Sequence, residues 1–463
     1  MATITGQAEA PAAPSRWSEL WRKEDWWAIW IGLAVVLAGC ALFWAGGNLR
    51  WLAVLPPRWA SFSQVTGDLG SNWTRYLAQF VFWLGAFSIA LRALGQRVRA
   101  FVPAFTLLYL AAYAIFVIGQ WEGSVRYNLE PPLVALLLGL VIANSVRLPR
   151  WLDAGFRGEF YVKTGIVLLG ATLPLSLIVL AGPVAILQAG VVSIVTFGVI
   201  YWAALRFGLD RRFAATLGVG GAVCGVSAAI AVAGAVGAKK EDTAITITTV
   251  VVWAIMMIFA LPFVSRLLLL PTGVAGAWIG TSEFADAAGI AAAQAYGGLA
   301  GKVEGITGTS EQALQAFTLM KVVGRDMWIG IWAVGLAIVA TTRWEARPAG
   351  GGADVGEVWR RFPKFVLGFF VTSAIITAVT ASYSLEEYNR VAVAGLVGPI
   401  KDLRTWAFIF CFFSIGLTTR FRELATVGRR PFAAFTTGVV VNVILGFVLS
   451  VYVFGDYWAR LGE

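Results

Sequence analysis

Two short stretches place ionisable side chains inside apolar sequence. LMKVVGRDMW carries Lys321, Arg325 and Asp326 within about one and a half helical turns. GTSEFADAAG carries Ser282, Glu283 and Asp286, its two carboxylates three positions apart and so on one helical face. A charge in lipid is costly, and by default it marks a path for a substrate or an ion. Lysine and arginine at that depth could draw in an anion, and Arg325 stays protonated and can fork onto two oxygens. Glu283 or Asp286 could carry a coupling proton or sodium ion. The competing reading is structural, with the charges neutralising one another as ion pairs between neighbouring helices. Lys163 is the third basic residue inside an apolar run. It lies near the end of that run, where a lysine can also simply snorkel to the interface. Asn144 and Asn442 are amides that either pair across helices or bind substrate.

The backbone near residue 220 is a second candidate. LGVGGAVCGVSAA sets Gly218, Gly220, Gly221 and Gly225 beside Cys224 and Ser227, although glycine costs about 1 kcal/mol per helical position relative to alanine. One reading is close packing, since small residues three or four apart let backbones touch. The other is a helix broken within the membrane, whose freed N–H groups and positive dipole end face an anion. FCFFSIGLTTRF, with Ser414, Gly416, Thr418 and Thr419, interrupts a later span in a similar way. On the broken-helix reading, leucine at Gly221 or Gly225 abolishes substrate binding while alanine spares the fold.

Membrane-spanning elements must position these groups. Of 463 residues, 59% are apolar and 13% charged, against roughly 45–50% and 25% in soluble domains. Uncharged runs such as 26–46 and 243–264 are long enough to cross a hydrocarbon core of about 30 Å. Thirteen spans follow: 26–47, 75–95, 101–120, 131–147, 160–181, 185–207, 213–237, 243–267, 277–298, 313–342, 361–382, 402–420 and 432–455. With the amino terminus inside, internal loops hold 22 basic residues against 11 outside and three within spans. That bias is the positive-inside rule. It places the amino terminus in the cytoplasm and the carboxyl terminus in the periplasm of a bacterial inner membrane. Residues 1–24 read as a cytoplasmic tail, 48–74 as an outer loop, and 343–360 as a flexible cytoplasmic linker. LAGC at 37–40 resembles a lipoprotein cleavage box, but ALFWAGG continues the apolar run, so 26–47 reads as a retained span.

Several function classes are disfavoured. Cys40, Cys224 and Cys411 all lie in apolar runs and the chain has no histidine, so neither a disulfide framework nor a metal site is expected. HExxH, GxSxG, Walker and dinucleotide fingerprints are missing, which argues against an enzyme or an ATP-driven pump; no cofactor is expected. Basic residues scattered over loops do not form a nucleic-acid surface. Three additional N-terminal transmembrane helices occupy 25–120, and the remaining ten spans divide into 130–267 and 277–455. Five is odd, so the second set runs opposite to the first, as in an inverted repeat. The expected fold is an all-α polytopic membrane protein. Its core would be a ten-helix inverted repeat (5+5) whose fourth spans, 213–237 and 402–420, are both broken by small and polar residues.

The segments EPPLVALLLGLVIAN (130–144), KTGIVLLGATL (163–173), GVGGAVCGVSAAIAV (218–232), WIGTSEFADAAGIAAA (278–293), LMKVVGRDM (319–327) and SIGLTTRFRELATVGRRP (414–431) resemble, in this order, the YeiH-like sulfate exporter family. That family is grouped with the bile acid/arsenite/riboflavin transporter superfamily. The resemblance covers about 130–455 and implies crossing, unwound fourth and ninth core helices and a substrate such as sulfate or an organosulfonate. Two departures stand out: Glu283, Phe284, Ala285 and Asp286 replace a His-Glu pair frequent in such proteins, and the first three spans exceed the usual amino-terminal region.

The functional expectation is a secondary active transporter that moves a small anion by alternating access. Gly220, Gly221, Cys224, Gly225, Ser227, Ser282, Ser414, Gly416, Thr418 and Thr419 would line its site. Lys163, Lys321 and Arg325 would supply positive potential, Asn144 would assist, and Glu283 or Asp286 would take the coupling ion. A channel-like anion pathway and a non-transporting scaffold or sensor are the rivals. The partners expected are the anion, a proton or sodium ion, the bilayer and a second copy in a homodimer.

Overall fold

Each of the thirteen expected spans contains a helix in the computed structural model, which describes residues 16–126, 131–173, 175–344, 363–383, 387–420 and 428–462. The first three long helices are α1 (Glu24–Trp44), α2 (Phe62–Ala93) and α3 (Val98–Gln120). Next come α4 (Pro131–Ser145), α5 (Gly158–Gly170), α6 (Leu175–Arg206), α7 (Arg211–Ala222) and α8 (Val226–Val236). They are followed by α9 (Lys240–Leu267), α10 (Thr272–Ser282), α11 (Asp286–Gly297), α12 (Ser310–Thr318) and α13 (Trp328–Val339). The last are α14 (Phe365–Thr380), α15 (Gly398–Thr418) and α16 (Arg429–Phe447). No strand occurs among the described residues, and the protein is an all-α polytopic membrane protein. Among the described residues, six helices are long and apolar enough to cross a bilayer unaided. Their outer faces expose Leu37, Ile89, Leu110, Leu187, Trp202, Phe263 and Ile444, as lipid contact requires.

Two expectations need correction, one on a loop and one on the breaks. The outer loop ends sooner than expected, because α2 starts at Phe62. Gln64 reaches back to accept from the Ser61 amide at 3.3 Å, and Tyr76 donates to Asp68 at 2.7 Å, so this polar first half is helical without being apolar. The tail 1–24 is partly helical, over Arg16–Arg22; residues 1–15, and 345–360 of the expected linker, lie outside the described residues. The second correction concerns the breaks. The one near Gly225 is present, between α7 and α8. The other is not at 402–420, where α15 runs unbroken through Ser414 and Gly416 to Thr418. It lies between α10 and α11, at Glu283–Ala285.

The helices sort into two bodies that mix both five-span sets. In the first, α1–α5 pack with α14 and α15; in the second, α6–α13 pack with α16. Contact between them is thin and runs along α11 and the α6–α14 crossing. Close approach holds the first body together: a Cβ on Gly416 would lie 2.7 Å from the Gly139 Cα, so α4 and α15 touch backbone to backbone. Gly416 is therefore a packing residue.

The three additional helices belong to that first body. Trp406 of α15 stacks on Tyr109 with ring centroids 4.8 Å apart and donates its indole N–H to the Val54 carbonyl at 2.8 Å. Phe410 packs against Phe105 and Trp83. Helix α1 lies against α5 and α14, where a Cβ on Gly368 would come within 2.8 Å of Ile29 and 2.9 Å of Val167.

Candidate functional site

The two breaks meet. At the first, Val223 leaves helical geometry and Gly225 adopts φ 73°, ψ −110°, a combination that strains any residue with a Cβ. At the second, Glu283 and Ala285 are extended. The Glu283 carboxylate accepts from the amides of Phe284 at 2.8 Å and Ala285 at 3.1 Å, replacing helical partners those N–H groups have lost. A Cβ on Gly225 would stand 2.6 Å from the Phe284 carbonyl oxygen.

Between α12 and α13 the chain widens into a π-helical turn, Leu319–Arg325, a form frequent at functional sites. That turn delivers Lys321 and Arg325, both fully buried, to the two breaks. Arg325 donates to the carbonyls of Thr281 at 2.7 Å, Glu283 at 3.0 Å and Gly221 at 3.1 Å. Lys321 donates to Glu283 at 2.9 Å and Val223 at 3.2 Å. A helix carboxyl end presents unpaired carbonyls and negative partial charge. The two cations therefore clasp the ends of α7 and α10 together through backbone carbonyls, while Arg325 Nε makes no hydrogen bond among the described residues.

The other halves start at a cavity of 510 Å³ between the two bodies. Its second-body wall includes Cys224, Ser227, Asp286 and Ala288, and its first-body wall includes Lys163 and Thr419. The first turns of α8 and α11 open on it together. Such turns leave N–H groups without intrahelical partners and carry positive partial charge. The residues at the two N-cap positions, Gly225 and Ala285, supply no side-chain cap.

Lys163 stands at the cavity wall among carboxylates: Asp25 at 2.9 Å, Glu24 at 3.4 Å and Glu159 at 3.8 Å. Two of these partners come from α1, and Glu24 itself lines the cavity. An amino-terminal helix thus contributes to the candidate site. Nothing in the spacing of residues 24 and 163 announces that pairing.

At the far ends of α5 and α15, a second charge cluster joins the bodies. Glu311, at the start of α12, pairs with Lys401 at 2.7 Å and with Arg404 at 3.4 Å. Arg404 also donates to Thr172 at 2.7 Å. Reading the sequence by loops counts Arg404 among outer basic residues; in the structure it is 1% exposed. Its position inside the expected span 402–420, just before the apolar run WAFIFCFF, was the available signal.

Six expected site residues line the cavity: Lys163, Cys224, Ser227, Asp286, Thr418 and Thr419. Gly225, Glu283, Lys321 and Arg325 build the junction beneath it. Ser282 is buried beside Thr281, 3.5 Å between hydroxyls. Gly220 and Gly221 serve packing, since a Cβ on Gly221 would press on Ile200 and Phe435. Asn144 donates to the carbonyls of Leu140 and Thr419 and so ties α4 to the end of α15. Asn442 donates to Thr196 across α16 and α6. Buried Ser414 has no hydrogen-bond partner for its hydroxyl among the described residues.

Fold and junction together define a multi-span helical membrane protein in which two interrupted helices meet on buried cations. The model of the family described as Conserved hypothetical protein 698 matches residues 103–435, most of the chain. The chain belongs to this family, the YeiH-like family to which its motifs pointed. It is similar to a UPF0324 membrane protein of Rhodopirellula baltica, 29% identical over 96% of this chain and 92% of the relative. A UPF0324 membrane protein of Nitrosomonas europaea is 30% identical over 94% and 97%. One from Nitratidesulfovibrio vulgaris is 31% identical over 81% of this chain and 64% of its own length. No solved structure matches.

Proposed function

We propose that the protein is a secondary active transporter of a small anion, such as sulfate or an organosulfonate, across the bacterial inner membrane by alternating access. The observation that carries this reading is the opening of two half-helix starts, α8 and α11, onto one cavity between two thinly joined bodies. Paired helix starts inside a membrane suit an anion. By the positive-inside orientation the cavity faces the cytoplasm, since it reaches the start of α5 and the end of α15. The Glu311–Lys401–Arg404 cluster then closes the opposite face.

Cys224 is a built-in reporter, because it lines the cavity while Cys40 and Cys411 do not. In a Cys40→Ser, Cys411→Ser background, N-ethylmaleimide is expected to label Cys224, and sulfate, sulfite or a small alkanesulfonate to protect it severalfold. The same anion should raise the melting temperature, by about 2.7 kcal/mol of stabilisation at a hundredfold excess over Kd. It should also cross proteoliposomes carrying the protein. Failure of all these anions to protect, stabilise and cross would refute the reading.

The ionic closure gives a separate expectation. Glu311→Gln removes the carboxylate shared by Lys401 and Arg404 and leaves a buried guanidinium uncompensated, so the closed face is destabilised. Cys224 labelling from the cytoplasmic side should drop by half or more, with matching labelling appearing from the periplasmic side. Unchanged sidedness would mean that this cluster does not gate the cavity.

A further inference from the structure

Asp326, one residue past the arginine that clasps the breaks, is 1% exposed. Among the described residues no hydrogen-bond donor reaches either of its carboxylate oxygens. It lies within hydrogen-bonding reach of Asp286, whose Oδ1 is equally without a donor. Lys321 Nζ stands 3.7 Å from that oxygen, and its short bonds go to Val223 and Glu283 carbonyls instead. Arg325 is likewise turned to carbonyls. Glu283 spends one oxygen on backbone amides and leaves the other unpartnered. The remaining groups facing the pair are the Cys224 thiol and, farther out on α5, Glu159 and Lys163.

Two facts converge. Carboxylates in contact repel one another unless one of them is protonated, and a hydrogen bond between them needs that proton as its bridge. The buried junction also holds three carboxylates, Glu283, Asp286 and Asp326, against two cations, Lys321 and Arg325, so one proton brings it to neutrality. We propose that Asp286 and Asp326 share a single proton at neutral pH and that this proton is the one coupled to anion movement.

Asp286 is the first residue of α11 and lines the cavity, so it exchanges the proton with cavity water, while Asp326 holds the pair from behind. Protonated, the pair leaves the starts of α8 and α11 open to an anion. When the proton leaves, the second negative charge at Asp286 competes for the same positive ends and repels the anion. The step moves one proton between water and a carboxylate oxygen and breaks no other bond. The coupling half rests on the transporter reading; the shared proton does not.

The test uses the full-length protein in detergent. Without any anion, wild-type melting temperature should fall as pH rises above neutrality, because the folded state holds a proton that the unfolded chain has released. Asp326→Asn replaces the shared proton with a permanent amide donor, so it should keep the bond and remove that component of the pH dependence. Asp286→Asn should do the same and serves if the first variant folds poorly. In weak buffer with a pH-indicator dye, on the alkaline side of that fall, where the pair has lost its proton, addition of sulfate at matched pH should take up about one proton per anion bound in wild type and none in either variant. Retention of the wild-type pH slope in both variants overturns the shared proton, as does a melting temperature that follows sodium and ignores pH. Loss of the slope without any anion-linked uptake leaves the shared proton standing and overturns its coupling to transport.

Discussion

Arg325→Gln is expected to cost the protein roughly 3 kcal/mol or more of stability and to abolish anion protection of Cys224. The guanidinium donates to Thr281, Glu283 and Gly221 carbonyls at 2.7–3.1 Å in a fully buried site. Hydrogen bonds from a charged donor each contribute about 1.5–3 kcal/mol net, and an acceptor left unpaired in lipid costs a similar amount. Glutamine carries two donors on a shorter stem and cannot span both helix ends. Arg325→Lys should recover part of the loss, since one ammonium restores charge but lacks the planar fork. If the arginine were chiefly an ion-pair partner, neutralising Asp326 or Asp286 in the Arg325→Gln background would restore the melting temperature. With carbonyls as its partners, the double variant should stay well below wild type. Full recovery would sink the clasp.

Gly225→Ala is expected to be nearly as damaging to the site as leucine, contrary to the tolerance that the sequence suggested. The dihedral pair φ 73°, ψ −110° costs a residue with a Cβ on the order of 1–3 kcal/mol, and the new methyl would sit 2.6 Å from the Phe284 carbonyl oxygen. That oxygen belongs to the second break, so relief of the clash pushes α10 and α11 away from α7. The melting temperature should fall by several degrees, and sulfite should no longer protect Cys224. Gly220→Ala is the control: its Cβ would lie 3.2 Å from the γ-methyls of Thr246 and Val250, a milder approach than at Gly225, so a smaller loss is expected. Wild-type stability and protection in Gly225→Ala would refute the assignment of this residue to the junction.

Residue types along the chain determined the class of the protein and the location of its spans, because burial in lipid is decided residue by residue and averaged over about twenty positions. They also determined the break at Gly225, where a cluster of the weakest helix formers leaves little alternative, and singled out Glu283, Asp286, Lys321 and Arg325 as costly enough to need a reason. What the charges bond to was a different matter. Lys321 and Arg325 looked like groups waiting for an anion, and they instead hold backbone carbonyls 38 to 104 positions away in sequence. Helix α15 has the same small and polar residues as the first break yet stays continuous, since Gly416 meets Gly139 and the close packing supports the helix. The second break formed at Glu283 because its own carboxylate satisfies the freed amides, a bond that depends on where Phe284 is held. The α1 acids at Lys163 and the Asp286–Asp326 contact likewise depend on how one helix is rotated and slid against another. Hydropathy and propensity are local quantities, and only packing fixes that register.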